Sequence, residues 1–118
     1  MKNGLIVDSD GTQRYYKDDL LHREEGPAII WKSGSQSWWL NGNLHRSDGP
    51  ACIDADGTQE WWVNGRYHRS DGPAVIDADG TWEWYLHGNN YLFEQYVNEL
   101  FPKDSPQRTL FLLKWMNG

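Results

Sequence analysis

Among 118 residues there is a single cysteine, Cys52, with only two methionines and three phenylalanines. One cysteine forms no intramolecular disulfide, and thiolate-rich zinc sites need several. No apolar run approaches the roughly 18–20 residues of a membrane span. The N-terminal stretch MKNGLIVDSDG offers one lysine and three apolar residues where a signal peptide needs a longer apolar segment. With a mean hydropathy of −0.81, the expectation is a soluble, untargeted, cytoplasmic chain with no membrane span. Positive charge is also scarce. Eleven Lys and Arg face 17 Asp and Glu, a net charge of −6, which argues against direct nucleic-acid binding, because that depends on neutralising phosphates. What is abundant is aromatic: eight Trp and six Tyr must carry the core. Two domains would each be too small to stabilise, so one is expected.

Self-comparison exposes a repeat. Gly11, Gly34, Gly57 and Gly80 recur every 23 residues without an insertion. His22-Arg23, His45-Arg46 and His68-Arg69 keep that register, as do Gly26-Pro27-Ala28, Gly49-Pro50-Ala51 and Gly72-Pro73-Ala74. So do the aromatic pairs Tyr15-Tyr16, Trp38-Trp39, Trp61-Trp62 and Trp84-Tyr85. The chain opens part-way into a unit and the array ends near residue 90, which makes about four units over residues 1–90. Residues 91–118 remain as a cap belonging to the same domain.

Each unit holds short apolar segments bounded by Asp-Gly and Asn-Gly, dipeptides that accept the positive φ of hairpin turns. The pattern predicts a mainly β fold: a single-layer antiparallel meander of about eight strands, stacked hairpin by hairpin. Its principal strands fall at segments such as Ala74 to Asp77 and Glu83 to Leu86. Gly-Pro closes each arm, because proline has no N–H for a ladder. Alternation along the strands puts Ala51, Ile53 and Ala55 on one face and Cys52, Asp54 and Asp56 on the other. The small, apolar face is the inner one, and Trp61 and Val63, or Trp84 and Leu86, share it. The opposite face carries a ladder of Tyr16, Trp39, Trp62 and Tyr85 together with Asp54, Asp77, Glu60 and Glu83. These eight residues are the candidate partner-binding site.

After residue 90, YLFEQYVNELF shows helical spacing and Pro102 stops it. Ser105 followed by Pro106 reads as an N-cap and first turn of a second helix, TLFLLKWMNG, closed by Asn117-Gly118. Leu110, Phe111, Leu113 and Trp115 make it too apolar to stand in water, so two short helices are expected to cap the array or to meet a partner.

The segments WWLNGNLHRSDGPA and WWVNGRYHRSDGPA resemble a variant of the MORN repeat, with His-Arg-x-Asp-Gly-Pro-Ala in place of the usual His-Gly-x-Gly. The likeness covers residues 5–88. It implies a curved single-layer sheet of hairpins, a setting among bacterial and bacteriophage proteins, and scaffolding or partner binding; it does not imply an enzyme.

The residues themselves offer little catalysis. Equivalent histidines one unit apart lie two strand spacings, roughly 9–10 Å, from each other, too far to share a metal ion, and each is expected to bond within its own turn. Arg23, Arg46 and Arg69 with Glu25, Asp48 and Asp71 read as ion pairs or turn caps. Among positions that break the repeat, Trp31, Lys32, His87 and Asp18-Asp19, none makes a nucleophile, base and orienting group, and no phosphate-cradling loop or HExxH is present. No metal, cofactor or catalytic residue is therefore expected. Residues 1–90 hold eight basic and fourteen acidic side chains, so the negative charge sits in the repeats. The expected function is a non-enzymatic protein-interaction module, a phage-encoded stoichiometric binder or inhibitor of a host defence protein. Alternatives are a small-ligand protein stacking a nucleotide or sugar on its aromatics and, in a minor place, an acidic nucleic-acid mimic. The partner is a host or viral protein, with a homodimer also open, and the C-terminal helices or a second copy are candidate covers for the aromatic ladder.

Overall fold

The structure, a computed structural model, describes residues 1–116; the expected closure at Asn117-Gly118 lies outside them. Among the described residues fourteen short strands precede two helices. The strands are β1 (Gly4–Val7), β2 (Gln13–Lys17), β3 (Leu20–Leu21), β4 (Ile29–Ile30), β5 (Gln36–Ser37), β6 (Trp39–Leu40) and β7 (Asn43–Leu44), then β8 (Cys52–Ile53), β9 (Gln59–Glu60), β10 (Trp62–Val63), β11 (Arg66–Tyr67), β12 (Val75–Ile76), β13 (Trp82–Leu86) and β14 (Asn89–Tyr91). The helices are α1 (Phe93–Leu100) and α2 (Pro106–Trp115). The main sheet is an antiparallel meander in the order β1-β2-β4-β5-β8-β9-β12-β13-β14, with β3 on β2; β6-β7 and β10-β11 are separate two-stranded ribbons. The molecule is elongated, 53 × 28 × 21 Å.

There are more strands than the eight expected because the arms form strands of their own, β3, β7, β11 and β14, and because the long strands of the two middle units break at Trp38 and Trp61 while β2 and β13 run unbroken. Ser37 pairs with Ile29, yet its carbonyl also takes the N–H of Ala28 at 2.8 Å, so two residues face one and the strand bends. Trp38 then donates its N–H to Ala51 (2.7 Å) while its carbonyl accepts from His45 in its own arm (3.0 Å). Trp61 repeats this with Ala74 and His68. Each of the two middle units thus contributes one hairpin to the main sheet and one to a side ribbon, while β3 and β14 stay on the main sheet.

The two turns of a unit follow from its punctuation. In the Asp-Gly loops, Asp54 and Thr58 close the hairpin by a 2.9 Å bond from Asp54 N–H to the Thr58 carbonyl, Gly57 turns at φ +98°, and Asp56 Oδ1 accepts from Thr58 N–H at 2.9 Å. Asn64-Gly65 has positive φ at both positions (50° and 78°), as a two-residue hairpin loop needs. That loop pairs Trp62 with Tyr67 and Val63 with Arg66.

The face assignments hold for the alanines after Gly-Pro and for the aromatics, but not along the whole strand: Ala55, expected inside, is exposed, and Val75, in the outer row, is buried. Ala28, Ala51 and Ala74 are fully buried, and their carbonyls accept the N–H groups of Tyr15, Trp38 and Trp61, the aromatic row that Trp84 ends. The cover on that face differs from a closed apolar core. Trp61 is only half-buried, roofed by the Arg69 guanidinium at 3.8 Å; Arg46 covers Trp38 at 3.9 Å and Arg23 covers Tyr15 at 4.0 Å. The dense core lies at the C-terminal end, where Trp84, Leu86, Tyr96, Val97 and Phe111 pack together with Trp82, Phe93 and Trp115 against them. The first helix starts two residues later than its apolar spacing predicts, because Tyr91 is still paired to Trp84 in β14. Ser105 caps the second, its Oγ accepting from Arg108 N–H at 3.1 Å, with Pro106 at the first helical position.

Candidate functional site

The aromatic and acidic ladder lies on the sheet face away from the two helices, which pack on the Trp82 and Trp84 side. Cross-strand register places Ser37, Cys52, Glu60, Val75 and Glu83 in one row. Beside it, Trp62 aims its indole N–H at Glu60 Oε1 (3.0 Å), and Tyr67 donates its phenol to the other carboxylate oxygen, Oε2 (3.2 Å). The Trp62 and Tyr67 rings lie 4.0 Å apart and Tyr67 and Tyr85 4.8 Å apart, so three rings make a continuous stack across a unit boundary. All three are half-buried. In the preceding unit the same geometry is reduced: Trp39 donates to Ser37 Oγ at 2.8 Å and pairs with Leu44. Tyr16, paired with Leu21, lies under the Lys2 ammonium at 5.0 Å.

The eight expected residues are therefore not equivalent. Trp62, Tyr85 and Glu60 converge; Trp39 and Tyr16 extend the stripe with leucines between them. Glu83 is half-buried in the Glu60 row, Asp77 is half-buried near its loop, and Asp54 is exposed. Glu60 is held by both its oxygens and serves to orient the rings. Burial, then Asp56 and Glu60, push the Asp54 carboxyl upward. Sequence reasoning missed Leu21, Leu44 and Tyr67. The signal was present: a two-residue Asn-Gly loop fixes the partner of Trp62 as the second residue beyond the loop.

Burial chiefly, with the carboxylates of Glu60 and Asp54, pushes the Cys52 thiol up to about 12, so it stays protonated and is no nucleophile. The Tyr67 phenol is raised as well, by burial and then by Glu60.

The histidines follow the expectation of local bonding or stacking only in part: His22 Nε2 lies 3.4 Å from Glu24 Oε1 in its own turn, but the bond all three share leaves the turn. His22, His45 and His68 each accept, through Nδ1, the N–H of the next unit's turn residue, Asn41, Asn64 and His87, at 2.9, 3.0 and 2.9 Å. The turn N–H groups point toward the preceding arm because each hairpin stacks on the one before it, and an imidazole reaches that far. At the first turn Asn3 Oδ1 does the same work for Asp18 N–H at 2.8 Å. His68 and His87 also stack at 4.4 Å. Among the described residues no three His, Cys, Asp or Glu gather to hold a metal ion. The arginine pairs form at Arg46–Asp48 and Arg69–Asp71, both 2.8 Å. Arg23 instead donates to the Pro27 carbonyl at 3.2 Å, a bond that Arg46 and Arg69 also make, to Pro50 and Pro73. No helix among the described residues is long and apolar enough to cross a membrane.

Comparison with known protein families, with curated proteins and with solved structures returns no match.

Proposed function

We propose that this protein is a non-enzymatic, MORN-like interaction module that binds another protein through the stripe centred on Trp62, Tyr67 and Tyr85. The observation that carries the reading is the three-ring stack, fixed in orientation by Glu60 and lying on the face the chain's own helices leave uncovered. Rigid, half-buried aromatics held by hydrogen bonds are the anchors that dominate protein interfaces. The acidic residues around them favour a partner with a basic surface. The resemblance to the MORN variant adds a bacterial or bacteriophage setting with a host or viral protein as partner, and action by stoichiometric occupancy follows from the lack of a catalytic set.

The test is affinity capture from a bacterial lysate with the wild type and with Trp62→Ala, beside melting curves of both proteins. A partner captured in stoichiometric amount by the wild type is expected to be lost with Trp62→Ala, a loss of more than about 2 kcal/mol, with little change in melting. Stabilisation by a nucleotide or sugar that depends on Trp62, with no protein captured, would overturn this reading in favour of a small-ligand site.

A further inference from the structure

The opposite face carries a second repeated feature, and one copy of it is filled. Successive arms enclose a groove: Arg23, Pro27, Trp38, Leu40 and Arg46 line one of about 470 Å³. One unit on, Arg46, Gly49, Trp61, Val63 and Arg69 line another of about 650 Å³. A further step of 23 residues leads to Arg69, Gly72, Trp84 and Leu86, and there the chain's own helices sit. Tyr96 of α1 brings its hydroxyl to the carbonyls of Arg69 and Gly72, 3.0 Å from the latter. Trp115 of α2 lies so close to Gly72 that a Cβ there would meet its ring at 2.8 Å. The same Trp115 stands 5.5 Å from the Arg69 guanidinium, which itself rests on Trp61. At Gly26 and Gly49 the nearest atoms a Cβ would meet belong to the arginine of the same arm. Their floors are open.

We propose that the two open grooves are docking sites for an amphipathic helix of a partner protein. Such a helix seats a Trp or Tyr ring against the Gly-Pro arm and over Arg23 or Arg46, as Trp115 seats against Gly72 and Arg69. The occupant's chemistry is read from the filled step, since the lining repeats and only the occupant changes. The rims are of mixed charge: Glu24, Glu25 and Asp48 stand beside Arg23 and Arg46 in one groove, and Asp48 and Asp71 are paired to Arg46 and Arg69 in the other. An amphipathic helix that presents an aromatic ring to the floor fits both grooves. This surface is separate from the Trp62 stripe, so each stands or falls alone.

The probe is a labelled synthetic peptide of residues 91–116, titrated into the intact protein. Saturable binding is expected. It should weaken by about tenfold or more with Val63→Glu, which puts a charge into the floor of the larger groove, and with Ser47→Lys, which extends a long charged side chain from the exposed rim shared by both grooves. Ser47 is exposed, so that variant keeps the fold even where Val63→Glu does not. Trp62→Ala, on the other face, should leave the affinity within about twofold. No saturation by about 1 mM peptide would overturn the proposal. So would binding indifferent to Ser47→Lys, which marks exchange with the chain's own helices, or binding lost with Trp62→Ala, which moves the site to the stripe.

Discussion

Trp61 and Trp84 occupy the same position in successive units and meet different fates. Trp61 is half-covered by the guanidinium of Arg69, eight residues on. Trp84 has Leu92 at the corresponding place, and its roof is the helical end: Phe93, Tyr96, Phe111 and Trp115 surround it with ring centroids between 4.9 and 6.5 Å of one another or of Trp84 itself. It is 6% exposed. A cationic lid covers an aromatic while leaving the unit open to another like it, so it serves the interior of an array. An apolar lid buries the ring fully but turns the chain away from the sheet. The contrast teaches where stability is concentrated: the repeats are held by stacking and hydrogen bonds at each step, the end by a core.

The largest effect should break that core. Trp84→Ala removes a large buried side chain from the centre of the cluster and is expected to cost about 3–5 kcal/mol. That is a large share of the stability of an ordinary domain. Trp61→Ala should cost roughly 1–2 kcal/mol, since its ring keeps one face toward solvent and loses mainly a cation–π contact and partial burial. Urea unfolding of both variants checks the order. Equal costs would mean that the arginine lid excludes water as well as the helices do, and that the two regions are not different in kind.

An effect comparable with that of Trp61→Ala sharpens the role of the lid. Arg69→Ala should cost about 2 kcal/mol, because this side chain lies between Trp61 and Trp115 and bonds the Pro73 carbonyl at 3.0 Å. Arg23→Ala, with Tyr15 alone beneath it and no ion pair, should cost about half as much. Asp71→Asn should change stability by less than about 0.5 kcal/mol, since Asp71 is largely exposed and such a pair is well screened. If Asp71→Asn matched Arg69→Ala, the repeated Arg and Asp would be acting as ion pairs first and the aromatic stacking would be incidental.

The repeat made most of this legible. Alternation along strands assigned Ala51 and Trp61 to one face and Trp62 and Glu60 to the other, because a period of two leaves no freedom once the turns are placed. Ser105-Pro106 fixed the start of the second helix. The roles of arginine and histidine were not legible, for different reasons. Arg69 folds back eight residues onto Trp61 within its own hairpin, where charge suggests an ion pair rather than a stack, whereas His68 reaches 19 residues forward to His87 in the next unit. Spacing within one unit does not disclose a contact made by stacking units. The helices' choice of face was hidden too, since it depends on Tyr96 meeting the carbonyls of the last arm, and a carbonyl has no letter in the sequence.

The smallest expected effect concerns the seam between the two regions and is set by pH. For Nδ1 of His68 to accept the His87 N–H, the ring must be without a proton there. Burial, then the neighbouring His87, hold His68 below the usual imidazole range. In the unfolded chain the ring returns to about 6.5 and takes up a proton more readily, so the unfolded state binds more protons between the two values. Stability from this bond is therefore complete above about pH 6.5 and is lost as pH falls through that value toward the lower, folded one. Melting temperature should fall between about pH 7 and pH 5.5 in the wild type. His68→Asn keeps an acceptor without a titrating group, as Asn3 does at the first turn, and should flatten the profile in that window. Identical slopes in wild type and His68→Asn would show that the seam does not sense protons, and that the histidines are spacers whose bond any polar side chain of similar reach supplies.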